Sequence, residues 1–159
     1  NVEYFNGILD AKLSNPKTGF VGVAGTAALT DLINWFACSR QYNSGGGMVY
    51  HGKNYADMTL TSYGAAKDVV TLDGVFLAAT GKTLYSIGLR APQAWKSTWH
   101  HYDTFLTLQC HINKQTNRIA PISIRHESGG DYNAAYREDI PRVALSFVKH
   151  LPAVVHQLP

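Results

Sequence analysis

The sequence predicts an α/β protein, because short apolar runs of strand length alternate with longer segments whose apolar residues recur at helical spacing. The 159 residues fit one domain, 1–159, large enough to bury a sizeable core. With 45% hydrophobic and 16% charged residues, the composition is that of an ordinary globular protein and not of a disordered or fibrous one.

The first part of the chain predicts helix, strand, helix and strand in turn. Residues 1–13 carry apolar side chains at helical spacing and end at the breaker SNPKTG. The Gly-bounded run from Gly19 to Gly25 is short enough to be a buried strand. TAALTDLINWFAC then predicts a helix with Thr26 or Thr30 as its cap, and MVYHG predicts a strand after the loop QYNSGGG.

The middle of the chain predicts one long strand and one short helix. DVVTLDGVFLAAT is strand-like, with Asp73 and Gly74 in its middle, and GKTLYSIG is a short helix closed by Gly88. After the loop LRAPQAWKST, apolar residues at near-helical intervals predict a helix from His100 to about Lys114.

The last part predicts a strand, a turn and a helical region. RIAPISIRHE is the strand and SGGDYN the turn. The C-terminal segment is helical in pattern, and we expect Pro141 and Pro152 to interrupt it.

Charge and cysteine usage limit the partners and the compartment. The net charge of +3 comes from scattered Lys and Arg without a basic block, so no nucleic acid partner is indicated. Cys38 and Cys110 lie far apart and match no zinc spacing, which favours a reducing, cytoplasmic compartment. No apolar run approaches membrane-spanning length. The chain starts at Asn1, without Met and within a predicted helix, so we expect a fragment of a longer protein.

Two short motifs suggest enzymes of other kinds. WHH with later histidines is similar to bacterial toxin metal nucleases, but His100 and His101 would point about 100° apart on a helix, which makes it difficult for both to face one metal. RHESGG is similar to the Glu-Ser-Gly turn of lysozyme-like enzymes, in which the Glu is the general acid. Only the residues after Ser128 remain to build such a cleft, and a Gly-rich surface turn explains this motif better.

The order of three motifs carries a broader resemblance. DGVFLAATG, WHHYD and RHESGG follow one another at plausible spacing, and NPKTGFVGVAG precedes them. This succession resembles the second half of the GT-A fold glycosyltransferases of the family-two type. The resemblance implies a GT-A-like mixed sheet flanked by helices, whose N-terminal nucleotide-binding βαβ unit and Asp-x-Asp motif would lie before Asn1.

The resemblance also implies a reaction and its site residues. A sugar would pass from a nucleotide-sugar donor to a glycan or other hydroxyl acceptor, with inversion and with Mn²⁺ or Mg²⁺ as cofactor. Asp103 would be the general base, and His126 would supply an imidazole to the metal. The residues expected to bind donor or acceptor are Asp73, Gly74, Trp95, Trp99, Ser128, Gly129 and Gly130.

Simpler interpretations remain open for each of these residues. The alternative for Asp103 is a solvated acid on an amphipathic helix, and the alternative for Asp73 with Gly74 is a bulge or turn signal inside a strand. The alternative for the tryptophans is packing in the core, and we assign no role to His51. An inert carbohydrate-binding domain that uses the same cleft is the alternative function of a different class.

Overall fold

A computed structural model describes residues 2–90, 95, 100–127 and 133–157 of the chain. Helices and short strands alternate through these residues, which confirms the predicted α/β class. The helices are α1 (Val2–Leu13), α2 (Trp35–Gln41), α3 (Gly81–Ile87), α4 (Tyr102–Ile112) and α5 (Ala134–Ser146). None of these helices is long and apolar enough to cross a membrane.

The strands are short. In chain order they are β1 (Thr18–Gly22), β2 (Ala24–Thr26), β3 (Ala28–Leu29), β4 (Gly45–His51), β5 (Thr59–Ala65), β6 (Asp68–Val69), β7 (Thr71–Leu72), β8 (Leu77–Ala79), β9 (Thr116–Ile119), β10 (Arg125–His126) and β11 (Ala153–Val154). Single 3₁₀ turns occupy Tyr55–Asp57 and Val148–His150.

Two larger sheets share three segments of the chain. The first has the strand order β6-β9-β1-β8, and the second has the order β10-β4-β2-β7 with β5 paired to β4. The pairs β1·β9 and β4·β10 are parallel, so both sheets are mixed. Each of the consecutive pairs β1 and β2, β6 and β7, and β9 and β10 passes from the first sheet to the second. The candidate site described below lies near these crossings.

Because of the crossings, two predicted strands are each divided. The run from Gly19 to Gly25 gives β1 and β2, with Val23 between them. RIAPISIRHE gives β9 and β10, and Pro121 lies in the irregular stretch between them. Proline lacks the N–H that a central strand donates, which is consistent with a break at this point.

The prediction of one long strand around Asp73 and Gly74 is wrong. The chain leaves the second sheet after β7, and a turn at Asp73–Phe76 leads to β8 in the first sheet. The Asp73 side chain stabilises this turn, because its Oδ1 accepts the N–H of Val75 at 3.0 Å. Asp73-Gly74 thus marks a turn between β7 and β8, and not a position inside one continuous strand.

The predicted helix from Thr26 onward is also wrong in its first half. Thr26 belongs to β2, and Ala28–Leu29 forms β3. Helix α2 begins only after Asn34, whose Oδ1 accepts the N–H of Ala37 at 2.9 Å and so provides the cap expected from a threonine.

The glycine run predicted as a loop is instead the start of β4. At Gly47 φ is +90°, and a side chain there would overlap the carbonyl of Val23. The strands therefore approach so closely that only glycine fits.

Helix α5 runs through Pro141, so the prediction that this residue interrupts it is wrong. Proline removes one helical hydrogen bond, but Val143 is fully buried in the core and Arg142 pairs with buried Asp139 at 3.3 Å. The core packing of Val143 and this ion pair within the helix hold α5 together. Pro152 does lie outside the helix, directly before β11.

Helix α4 is fixed to the sheets by buried polar contacts. The amide nitrogen of Asn117 in β9 donates to the carbonyl of Thr107 in α4 at 2.7 Å and to that of Val70 at 2.8 Å. Its oxygen accepts the N–H of Phe20 at 3.0 Å. The hydroxyls of Thr107 and Thr71 are 2.9 Å apart. These contacts fix the helix that carries Asp103.

Candidate functional site: two carboxyl groups and an imidazole pair

The N-terminus of α4 meets the turn that carries Asp73. The backbone N–H of Gly74 donates to Asp103 Oδ2 at 3.0 Å, and the Tyr102 hydroxyl donates to the carbonyl of Gly74 at 2.8 Å. A side chain at position 74 would overlap the Tyr102 hydroxyl, so the close approach requires glycine. The structure thus brings together the predicted residues Asp73, Gly74 and Asp103.

Asp103 is half-buried and accepts two backbone hydrogen bonds. Besides the Gly74 bond, its Oδ1 accepts the N–H of Thr104 at 2.7 Å. Burial and then the charge of Asp73 raise the pKa of Asp103 to about 6, against the opposing effect of these N–H groups. Such a carboxyl group is ionised at neutral pH and is a stronger base than an ordinary aspartate.

Asp73 is held mainly through its backbone and one side-chain oxygen. Its N–H donates to the carbonyl of Ala24 at 2.8 Å, and Oδ1 accepts from Val75. In the described part of the chain, no residue forms a hydrogen bond to Oδ2 of Asp73. Burial raises the pKa of Asp73, whereas the Val75 hydrogen bond and the positive charges of His126 and His51 oppose this rise.

His126 lies beside a second imidazole, that of His51. The two residues are directly paired on the parallel strands β10 and β4, and their ring centroids are 5.7 Å apart. The Nε2 atom of His51 is 3.3 Å from the Tyr63 hydroxyl. Both imidazoles favour the ionised form of the Asp73 carboxyl group, which links the pair to this aspartate electrostatically.

Sequence reasoning missed His51 because its place depends on a long-range pairing. His51 and His126 are separated by nearly half of the chain and become neighbours only through the parallel register of β4 and β10. The one local signal is that both histidines end a strand-like run, in MVYHG and ISIRH.

The predicted metal site has one candidate ligand among the described residues. His126 is the predicted ligand, and an imidazole nitrogen is a poor ligand for Mg²⁺, which prefers oxygen. In the ranges that the structure describes, no three His, Cys, Asp or Glu side chains are arranged to hold a metal ion. A metal bound at His126 would therefore need ligands from another source.

The remaining predicted binding residues divide into two groups. Trp95 is 6% exposed, packs edge-on against Phe105 with ring centroids 5.4 Å apart, and donates from Nε1 to the Ser146 hydroxyl. It fills the core, so the expectation that it offers a flat face to a sugar does not fit its position. Trp99 and the loop residues Ser128, Gly129 and Gly130 lie outside the described residues.

The histidines before α4 pack against α5. His101 is 4% exposed, stacks on Tyr136 at 4.2 Å between ring centroids, and its Nε2 lies 2.9 Å from the Tyr136 carbonyl. The ring of His100 meets the edge of Tyr136 at 5.7 Å. Burial lowers the pKa of His101, which favours a neutral packing role.

The fold and the site define an α/β protein in which two aspartates meet at Gly74 and a pair of imidazoles acts electrostatically on one of them. No protein-family model matches the sequence, and neither the curated proteins nor the solved structures gave a match.

Proposed function

We propose that this chain is the acceptor and catalytic portion of a GT-A-like, metal-dependent glycosyltransferase that inverts the transferred sugar. The observation that carries the proposal is the connection of Asp103 to Asp73 through Gly74. This hydrogen bond connects the DG motif at Asp73-Gly74 with the YD motif that ends at Asp103. The sequence resemblance related these two motifs only by their order along the chain. Two mixed sheets with parallel strand pairs and flanking helices are compatible with such a fold.

Asp103 is the general base in the proposed reaction. Its carboxylate takes the proton of the acceptor hydroxyl while the acceptor oxygen bonds to the anomeric carbon of the donor sugar. The bond from that carbon to the diphosphate breaks at the same time, and the diphosphate leaves with the electron pair. A pKa of about 6 supports this role, because the group is ionised at pH 7 yet retains a higher proton affinity than an ordinary aspartate.

Asp73 is suited to hold the donor sugar. One carboxylate oxygen stabilises the turn by accepting from Val75. The other is available, within the described residues, to accept a hydrogen bond from a sugar hydroxyl. Since the turn places Asp73 next to Asp103, a sugar held by Asp73 would lie near the base.

His126 and His51 are placed to serve the diphosphate side of the donor. When bound, a divalent metal would neutralise charge on the diphosphate, and His126 would be the ligand that this chain supplies. His51 lies beside it and offers a second imidazole that can donate a hydrogen bond to a phosphate oxygen.

Replacement of Asp103 in the full-length protein that contains this chain tests the proposal. Donor turnover is measured as release of nucleoside diphosphate from UDP-, GDP- and dTDP-hexoses with Mn²⁺ or Mg²⁺, with and without glycan acceptors. We expect Asp103→Asn to lower kcat by about a hundredfold or more and to leave donor binding intact.

Asp31→Asn is the matched control, because Asp31 is an exposed aspartate outside the site. Near-normal turnover of Asp103→Asn would exclude the base assignment. Glycan binding by the wild-type protein without any release of nucleoside diphosphate would favour the inert carbohydrate-binding alternative.

A further inference from the structure

Two consecutive residues of α4 hold both hydrogen-bonding groups of Gly74. The Gly74 N–H donates to Asp103 Oδ2, and the Gly74 carbonyl accepts from the Tyr102 hydroxyl at 2.8 Å. The turn at Gly74 is therefore attached to the helix on both sides. Tyr102 forms one of these two attachments.

The direction of Tyr102 is set by the start of α4. The preceding residue, His101, has a left-handed backbone with φ of 59° and is almost completely buried against Tyr136. Asn117 and Thr107 fasten the following turns of the helix to the sheets. Tyr102 thus extends from a fixed backbone toward Gly74.

The absence of a side chain at Gly74 leaves room for Tyr102. Any side chain at position 74 would overlap the Tyr102 ring and hydroxyl and would displace the tyrosine from the carbonyl. The glycine in the DG motif thus has a structural reason, which is the close approach of this phenol.

We propose that Tyr102 is a positioning residue that holds the Asp73-Gly74 turn against Asp103 and thereby fixes the two carboxyl groups relative to each other. The catalytic consequence rests on the proposed glycosyltransferase function, whereas the positioning itself does not. Tyr102 acts through Gly74 and needs no contact with the reacting atoms.

The charged surroundings keep the phenol in its donating form. Burial, followed by the charges of Asp103 and Asp73, raises the pKa of Tyr102, so the hydroxyl stays protonated at neutral pH. Asp73 faces Asp103 from the turn, and beyond Asp73 the groups are His51 on β4 and His126 on β10.

The test compares Tyr102→Phe with Tyr85→Phe, since Tyr85 is 92% exposed on α3. The first readout is the amide proton shift of Gly74 during a pH titration of the full-length protein. In the wild type this shift follows the titration of Asp103, because the amide donates to its carboxyl group. We expect Tyr102→Phe to reduce the amplitude of the change by about twofold or more, and Tyr85→Phe to leave it unchanged.

The second readout is turnover. We expect Tyr102→Phe to lower kcat roughly tenfold with little change in the donor KM, because the lost hydrogen bond affects the geometry of the base and not donor affinity. A thermal unfolding curve shows whether the variant is folded. If it is not folded, Gly74→Ala provides a second variant. We expect this variant to reduce the pH-dependent change in the amide proton shift at position 74 in the same way.

The outcomes separate the two proposals. An unchanged Gly74 titration in folded Tyr102→Phe would overturn the positioning role, whatever the activity. A reduced titration together with wild-type protein that transfers no sugar would support the positioning role and reject the glycosyltransferase assignment.

Discussion

His51 and His126 lie directly opposite each other on the parallel strands β4 and β10, with ring centroids 5.7 Å apart. Their positive charges oppose the rise in the pKa of Asp73 that burial causes, and the effect of His126 is the larger of the two. The imidazole pair therefore helps to keep this carboxyl group ionised.

Removal of either imidazole should raise the pKa of Asp73. A positive charge favours the ionised carboxylate, so its loss shifts the equilibrium toward the protonated acid. We expect His126→Gln to raise the pKa more than His51→Gln does. The measurement is a ¹³C titration of the Asp73 carboxyl carbon by NMR.

His156→Gln is the control for both histidine variants, because His156 is exposed near the C-terminal end of the described chain. A pKa of Asp73 that stays the same in both site variants would show that the imidazoles do not act on this carboxyl group.

Some residues of this site can be predicted from the sequence, whereas others are identified only by the folded structure. Asp103 and Gly74 are local features, one in an amphipathic helix and one beside a turn-forming aspartate, so their residue types are informative. His51 depends on a parallel pairing, which no local pattern specifies. Trp95 is as compatible with a sugar platform as with a core, and only its packing on Phe105 decides.

The same distinction applies to the fold. Helices α1, α3 and α4 follow directly from apolar spacing and from terminating residues such as Gly88. The divided strands could not be predicted, because the passage of a chain from one sheet to another is set by tertiary contacts. For the same reason, the run Gly45–Gly47 resembles a loop in sequence although close strand approach makes it a strand.

The stability of the wild-type protein should fall as the pH rises through the titration range of Asp103. The folded-state pKa is raised from 3.8 to about 6, so the folded state binds this proton more tightly than the unfolded chain. The resulting stabilisation is fully present below about pH 4 and is lost as the pH rises through about 6. The free energy of unfolding of Asp103→Asn, relative to that of the wild type, should therefore rise by on the order of 1–3 kcal/mol between pH 4 and pH 7.

Urea unfolding of the two proteins at several pH values between 4 and 8 measures this difference. The same series with Asp31→Asn accounts for the general effect of removing an acid. If the Asp103→Asn difference does not change with pH, the pKa of Asp103 is not raised in the folded protein.

Asn117 should be essential for stability. Its fully buried amide forms three hydrogen bonds to backbone groups of β1, of α4 and of the segment at Val70. Asn117→Ala leaves these groups without their partner in the core, and we expect a loss of about 3 kcal/mol or more in the free energy of unfolding. Asn6→Ala on the exposed surface of α1 should change it by less than about 0.5 kcal/mol. A loss no larger than this for Asn117→Ala, measured by urea unfolding, would contradict the role of the amide.

Substitution of Trp95 separates a core role from a sugar-binding role. The indole packs against Phe105 and bonds to Ser146, so Trp95→Phe keeps an aromatic ring in the core and loses one hydrogen bond. We expect Trp95→Phe to lower the free energy of unfolding by about 1–2 kcal/mol and Trp95→Ala by about 3–5 kcal/mol. Donor KM, acceptor KM and kcat of folded Trp95→Phe should remain at wild-type values, because a buried ring does not touch the substrates. A rise in either KM at unchanged thermal stability would instead place Trp95 in the binding cleft.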